Sequence, residues 1–417
     1  MFLAQLGLVI AAIGIVSCTV FLTFVAISAL RFRRRCKAPQ HDSGTPFVSL
    51  LKPLCGLEPR LEENLTSFFQ QDYPNFEIVF GTRDGSDPAL NVVRTVQARF
   101  PHVPVKIAFS GQPDRPNAKV CSLIKMCKQA DAEYLIISDS DAHVSPGYLR
   151  EVVRPLLNPK VGLVTCIYRG VPTGGFWSRL EALGMSVEMT AGVLAADLLE
   201  GMKFALGPTM AIRRNVLDAI GGMEILADYC ADDYVLGNRV HEAGYEVVLS
   251  QYVVDHIVLN YSFRSSMLHQ VRWMKSTRFS RPKGHLGTIF TFAMPFGLLG
   301  LASGFLAGHA LLGVSLFVAA VVNRVLLSLL AGWTVVRDPQ SLKYCWLYPV
   351  RDLLGFFLWC ASFTSGQIVW REQVYRLETG GKMLCLSAAR TSTPSSAPVA
   401  VDDLAGAFAN DESRSTK

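Results

Sequence analysis

The chain has 417 residues, half of them apolar, with a mean hydropathy of +0.29, high for a soluble protein, and a formal net charge of +6. The surplus positive charge collects beside apolar stretches, where anionic lipid headgroups account for it and no nucleic-acid partner is needed. Ten cysteines without a CxxC pair or metal-ligand spacing argue against a disulfide framework and read as free thiols in a reducing compartment.

Residues 6–30, LGLVIAAIGIVSCTVFLTFVAISAL, form an uninterrupted apolar stretch long enough to cross a bilayer. It lacks the basic start and small-residue cleavage site of a signal peptide. RFRRR (31–35) follows directly, and positive residues stay on the cytoplasmic side. Residues 1–35 are therefore expected to be an uncleaved anchor with a basic flank, followed by a polar linker over 36–46 and a cytosolic domain over 47–285.

Within that domain short apolar runs alternate with helical periodicity. FVSLLKPL (47–54), FEIVFGTRD (76–84), VKIAFS (105–110) and EYLIISDSD (133–141) read as strands, and LEENLTSFFQQ (61–71), PALNVVRTVQARF (88–100) and NAKVCSLIKMCKQA (117–130) as helices. Such alternation predicts an α/β domain with a mostly parallel sheet and helices on both faces. Its nucleotide half should close near residue 143, with strands at VGLVTCIY (161–168) and FALGPTMAIRR (204–214) continuing the sheet. Residues 286–336 are long and apolar enough for two spans. A third stretch, 347–368, is interrupted by Arg351 and Asp352, which either pair with each other or mark the membrane interface. Membrane segments are thus expected over 286–370, and a disordered Ser/Thr/Pro/Ala tail over 388–417.

Charged residues punctuate this frame. The apolar run Tyr134 to Ile137 ends in Ser138-Asp139-Ser140-Asp141. Ligands of open α/β sheets collect outside the carboxyl ends of the strands, and hard divalent ions take one or two carboxylates plus phosphate oxygens. The pair reads as a metal–diphosphate seat or as a solvated turn; these residues alone do not choose. Asp84 ends the second strand, where a doubly wound fold grips a nucleotide. Asp87 precedes Pro88 and reads as a helix cap. Lys119 enters a helix whose first amides favour anions. Asp232-Asp233 opens a predicted helix closed by Gly244, and Asp232 could simply cap it. In HQVRWMKSTR (269–278), Arg272, Lys275 and Arg278 recur at helical spacing beside Trp273, as in a helix lying on a membrane surface or a clamp on a leaving diphosphate.

The order of these features, with PNAKV, SDSDAHV, VGLVT, GPTMAIRRNVL, ADDYVLG, VRWMKSTR and WREQVYRLETGG, resembles the ceramide glucosyltransferase family over roughly residues 1–385. Its members are membrane glycosyltransferases of the GT-A fold, and its bacterial branch includes hopanoid-linked enzymes. The resemblance implies inverting transfer of a hexose from a UDP-sugar to the hydroxyl of a membrane lipid, with Mg²⁺ or Mn²⁺ as cofactor. It implies that Asp84 faces the uridine, that Asp139 and Asp141 form the DxD around metal and diphosphate, and that Asp233 is the base. Arg272 and Trp273 end the family's (Q/R)xxRW motif, and Lys119, Asp232 and His269 are expected to contact substrate. His269 stands where the family has Gln or Arg, with Gln270 displaced by one. The rival readings are a processive polysaccharide synthase, which usually needs more than the four spans available at most, and a non-catalytic nucleotide- or lipid-binding protein, which would be expected to lose the DxD or the base.

Overall fold

The computed structural model describes residues 1–35, 44–259, 262–370 and 373–388. The predicted tail beyond 388 and most of the predicted linker lie outside the described residues.

One eight-stranded sheet organises the domain. Its strands are β1 (Val48–Pro53), β2 (Phe76–Thr82), β3 (Val105–Phe109), β4 (Tyr134–Ile137), β5 (Ala142–His143), β6 (Val161–Pro172), β7 (Met210–Arg213) and β8 (Glu246–Val258), in the order β3-β2-β1-β4-β7-β6-β8-β5. β1 lies parallel to β2 and β4, and β2 to β3. These strands are apolar along their length because helices cover both faces. β7 enters antiparallel between β4 and β6, which in turn runs parallel to β8.

The first helix, α1 (Phe2–Arg35), precedes the domain. Then come α2 (Leu61–Phe69), α3 (Ala89–Arg99), α4 (Ala118–Gln129) and α5 (Tyr148–Val153). Next, α6 (Phe176–Gly184) and α7 (Thr190–Glu200) are joined by a π-helical turn, Met185–Met189. α8 (Arg214–Ala219) and α9 (Asp232–Glu242) complete the domain. One core packs Leu65 and Phe68 of α2, Val93 of α3 and Tyr148 of α5 against one sheet face. The other packs Leu123 of α4, Leu183 of α6, Leu217 of α8 and Leu236 of α9, and it also takes in Val25, Ala29 and Phe32 of α1. The anchor thus belongs to the domain's own core.

Two expectations change. Only Met210–Arg213 of the run 204–214 is a strand, because Gly207-Pro208 breaks the ladder and the Leu206 amide instead donates to Thr165 Oγ1 at 2.8 Å. Arg351 and Asp352 do not pair with each other: Arg351 Nη2 meets Glu188 Oε2 at 3.0 Å, and Asp352 Oδ1 meets Arg324 Nη1 at 3.0 Å.

After the domain follow α10 (Phe263–Ser280), α11 (Pro282–Gly287), α12 (Ala293–Leu306), α13 (Ala310–Leu327), α14 (Pro339–Lys343) and α15 (Tyr348–Ala361). Among the described residues three helical stretches are long and apolar enough to cross a membrane: Phe2–Arg34, Phe176–Glu200 and Ala310–Val335. The bent pair Pro282–Thr291 and Ala293–Leu306, broken by 47°, makes up to four. Phe176–Glu200 is 67% buried inside the protein, against 33% and 28% for the other two, so it packs as a domain helix. α15 has 14 residues, about 21 Å of helix, which is short of the ~30 Å hydrocarbon layer. The predicted third C-terminal stretch is therefore a helix packed on α6, α12 and α13. A small antiparallel sheet, β9 (Gln367–Trp370), β10 (Gln373–Leu377) and β11 (Met383–Ala388), ends the described chain.

Candidate active site

A single cavity of about 1530 Å³ opens along the carboxyl ends of β1 and β4 and continues beneath α6, α7 and α10. Its wall includes Lys119, Asp139, Asp141, Asp232, Asp233, His269, Arg272 and Trp273, so eight of the nine residues to which the resemblance gives a site role share it. Asp84 is the ninth and stands outside the wall, exposed, while its neighbour Arg83 lines it. Its carboxylate accepts from the hydroxyl and the amide of Ser86, which hold it below the usual carboxylate range. Asp87 accepts from Ala89 N at 2.9 Å at the head of α3, the capping contact expected of it, and also from Gly56 N at 3.1 Å.

The Asp139-Ser140-Asp141 turn is held by its backbone carbonyls. Lys52 Nζ donates to Asp139 O at 2.5 Å, Asn64 Nδ2 to Ser140 O at 3.2 Å, and Ile257 N to Asp141 O at 2.9 Å. With the carbonyls engaged, both carboxylates turn into the cavity. Lys52 is wholly buried on β1, with its ammonium 3.6 Å from the centroid of the Phe68 ring. Burial pulls its pKa down to about 7, against the opposing pull of Asp139 and Asp141.

Asn117 caps α4 through Val120 N, and its amide donates to Tyr229 O at 2.9 Å, which fixes the start of the helix against the approach to α9. Lys119 then reaches Asp139 Oδ1 at 2.7 Å and Asp232 Oδ2 at 3.3 Å. Burial alone would lower its pKa, but the two carboxylates outweigh that and hold it charged, above the usual lysine range.

Asp232 and Asp233 occupy the first turn of α9, where the helix dipole favours negative charge. Asp233 Oδ2 accepts from Gly207 N at 2.8 Å and Oδ1 from Tyr234 N at 2.7 Å. Burial and the neighbouring Asp232 push its pKa up to about 6, with Lys119 opposing. Gly207 lies between the two acidic elements: a β-carbon there would stand 3.2 Å from Asp139 Oδ2 and 3.4 Å from Asp233 Oδ2. The carboxylates of β4 and α9 therefore face one another across a residue that has no side chain.

The basic residues of α10 divide. Lys275 donates to Gln367 O at 2.8 Å and Arg278 to Ser362 O at 2.6 Å, so both fasten the C-terminal segment in place. Arg272 lines the cavity with its guanidinium 5.5 Å from the Trp370 ring centroid of β9. His269 Nδ1 lies 2.8 Å from Glu181 Oε1 of α6, and Ser266 Oγ donates to Glu181 Oε2 at 2.6 Å. The His269 ring packs 4.3 Å from Trp273, which rests on Ala182, Met185 and Val258. Gln270 is buried and donates to Ser266 Oγ at 2.9 Å. The polar position of the motif thus holds a histidine anchored on a buried glutamate. Sequence reasoning missed Lys52, Gly207 and Glu181; only the unusual lysine inside the apolar run VSLLKP carried a local signal.

No group of three or more His, Cys, Asp or Glu side chains among the described residues could hold a metal by itself. Asp141 Oδ1 is nonetheless buried without a hydrogen-bond partner, with His256 Nδ1 at 3.4 Å as its ion-pair neighbour, and burial raises its pKa. An orphaned carboxylate oxygen beside Asp139 fits a divalent ion that draws its remaining ligands from a diphosphate.

A doubly wound sheet with a DxD at its central strand, an acidic pair across a glycine and apolar spans on both sides defines a membrane-attached glycosyltransferase of the GT-A type. Residues 7–383 match the model of glycosyl transferase family 21, and the chain belongs to that family. Ceramide glucosyltransferase 1 of Caenorhabditis elegans is 27% identical over 354 residues, covering 82% of this chain and 74% of the worm protein. Ceramide glucosyltransferase 3 of the same organism is 25% identical, over 90% of this chain and 82% of its own length. Among solved structures, the mannosyltransferase PcManGT from Pyrobaculum calidifontis in complex with GDP-Man and Mn²⁺ aligns with a TM-score of 0.46 at 19% identity, covering 84% of this chain and 99% of that one.

Gly207→Val should leave the thermal melt within a few degrees and lower sugar transfer by roughly 10²-fold, since branched carbons would part Asp139 from Asp233. A radiolabelled sugar-transfer assay with a parallel melt reads both; full activity would mean that the glycine gap is incidental.

Proposed function

We propose that this protein transfers a hexose from a UDP-sugar to the hydroxyl of a membrane lipid with inversion at the anomeric carbon. The observation that carries this reading is the continuity of the cavity. One wall holds Asp139, Asp141 and Asp233, and the same space runs to Met189 and Val193 of an apolar helix, to Thr288 in the bent membrane pair and to Arg351 of α15. A water-soluble donor and a bilayer-held acceptor can meet there. The relatives named as ceramide glucosyltransferases support an amide-bearing lipid and glucose ahead of a hopanoid acceptor and N-acetylglucosamine.

In this mechanism Asp233 removes the proton of the acceptor hydroxyl as its oxygen attacks the anomeric carbon from the face opposite the diphosphate. A carboxylate held near pH 6 by burial is basic enough for the task and still ionised at neutral pH, and a positioned base contributes roughly 10²–10⁴-fold. Two of the acids nearby are engaged: Asp232 by Lys119, and Glu181 by Ser266 and His269. Direct attack by the alcohol from the face opposite the diphosphate, with Asp233 as base and no covalent intermediate, yields inversion by the reasoning applied to glycosidases. Lys119 and Arg272 offer positive charge to the departing UDP, and Asp84, at the end of β2, is the reading for the nucleoside. Mg²⁺ or Mn²⁺, held by Asp139 and Asp141, would neutralise the diphosphate. His269, fixed by Glu181, and Trp273 shape the acceptor side. Residues 47–285 are read as facing the cytosol, from the arginines after the first span.

Expression in a host that lacks the glycolipid, followed by mass spectrometry of its lipids, tests the reading directly; a new hexosyl-lipid is expected, and an elongating polysaccharide in its place would favour a synthase. Excess EDTA should abolish turnover and Mg²⁺ or Mn²⁺ restore it; full activity in EDTA would remove the metal from the site. In sealed inside-out vesicles the domain should be open to protease, and protection there would reverse the topology. Asp233→Asn should lower kcat by at least about 10²-fold while UDP-sugar affinity stays nearly constant. For the wild type, the base is lost as protons bind, so the rate should fall as pH drops through about 6 and level off above it. An acid limb unchanged by altering Asp233 would assign that limb to another group.

A further inference from the structure

Two ion pairs meet at α15, and they differ in a way that points to a ligand. Arg324 and Asp352 close on themselves: Arg324 also donates to Thr291 O at 2.7 Å and to Asn323 Oδ1 at 3.2 Å, and Asp352 Oδ2 accepts from Met294 N at 2.9 Å. That pair joins α12, α13 and α15 and has little left to offer. The neighbouring pair is open. Arg351 meets Glu188 through Nη2, while its Nε and Nη1 are buried without any hydrogen-bond partner. Both side chains line the wall of the catalytic cavity, and Arg351 is only 5% exposed. Leaving guanidinium hydrogens unmade away from water is costly unless something else receives them.

The surroundings hold Arg351 in this pose. A β-carbon at Gly184 would lie 2.2 Å from Arg351 Nε, so the guanidinium lies directly against the backbone where α6 ends. Glu188 sits on the π-helical turn that follows, a distortion frequent at functional sites. The result is two unpartnered N–H donors and a carboxylate acceptor on two residues that line the cavity where α15 meets the apolar helix.

We propose that Arg351 and Glu188 read the acceptor, taking the carbonyl oxygen and the N–H of an amide that lies beside the reacting hydroxyl of a lipid alcohol; this rests on the lipid-transfer reading above. A guanidinium donates to the carbonyl and a carboxylate accepts from the N–H, whereas an ester supplies only the carbonyl. The pair is thus a specificity device, acting on acceptor choice and leaving donor binding alone.

The test compares two acceptors in detergent micelles, a short-chain N-acyl amino alcohol and a diacylglycerol of matched chains, with wild type, Arg351→Met and Gly184→Ala. Gly184→Ala retains both charges and only displaces the guanidinium, so it decides the matter should Arg351→Met fail to fold. Wild type should prefer the amide by tenfold or more in kcat/KM, and both folded variants should bring that ratio to within about threefold of unity, with UDP-sugar Kd unchanged. A preference that survives in the folded variants, an indifferent wild type, or a loss of UDP-sugar affinity would each overturn the proposal while lipid transfer stands. Transfer by wild type to neither alcohol would overturn the lipid-transfer reading and this proposal with it.

Discussion

Lys119 stands 2.7 Å from Asp139 and 3.3 Å from Asp232, and this one ammonium holds together two acidic elements that would otherwise repel. Asp139 and Asp141 come from the end of β4, and Asp232 and Asp233 from the first turn of α9. Four carboxylates in one cavity are unfavourable without compensation, because burial and like charge both work against ionisation. The response is graded: Lys119 is held charged, Asp141 is pushed upward, and Asp233 rests near 6. Titratable groups driven apart in this way suit the division of roles proposed above, one set facing a cation and one accepting a proton.

The sheet topology makes that gathering possible. β7 pairs antiparallel with β4 so that Met210 lies opposite Ile137. The loop entering β7 therefore begins where β4 ends, which brings Gly207 to Asp139 although 68 residues separate them in sequence. A parallel strand at this position would have begun beside the amino end of β4, with its entry loop away from Asp139 and Asp141. α4 and α9 arrive at the same edge because Asn117 bonds to Tyr229 O. The meeting of residues 139 and 207 is thus a consequence of one reversal of strand direction, and residues 119 and 233 are brought to it by the contact between α4 and the approach to α9.

That reversal also explains what the sequence could and could not reveal. Runs such as FEIVFGT and YLII, buried on both faces, have a local signature, and so do paired carboxylates at a strand end or a helix start. The predicted strand over 204–214 was too long because apolar content hid the Gly207-Pro208 break, and that break is what forms the wall. Lys52 inside an apolar strand contradicts local expectation, and its reason, the carbonyl of Asp139, is 87 positions away. Glu181 and Glu188 are seven residues apart on a helix that reads as apolar, and their partners lie on α10 and α15. Contacts that exist only after folding leave no periodicity to read. Asp84 is the reverse case: its position at the end of β2 was legible, yet it lies outside the wall, with Ser86 occupying its carboxylate.

The membrane segments are usually the least informative part of such a chain, since apolar composition fixes only that they can span. Here the polar exceptions carry the content. α15 is too short to cross a bilayer, so its charged residues need not be read as a failed span. Asp352 ties α15 to α12 and α13, and Arg351, one residue on the other side, turns toward α6. Adjacent residues on a helix point about 100° apart, so a single short helix can bolt the membrane bundle together with one side chain and furnish the catalytic cavity with the next. Since α1 also packs into the domain's core, the spans and the catalytic sheet share both a hydrophobic interface and a polar one. The position of the cavity relative to the spans is therefore set by packing, since α15 lines it with Arg351 and is bolted to α12 and α13 by Asp352.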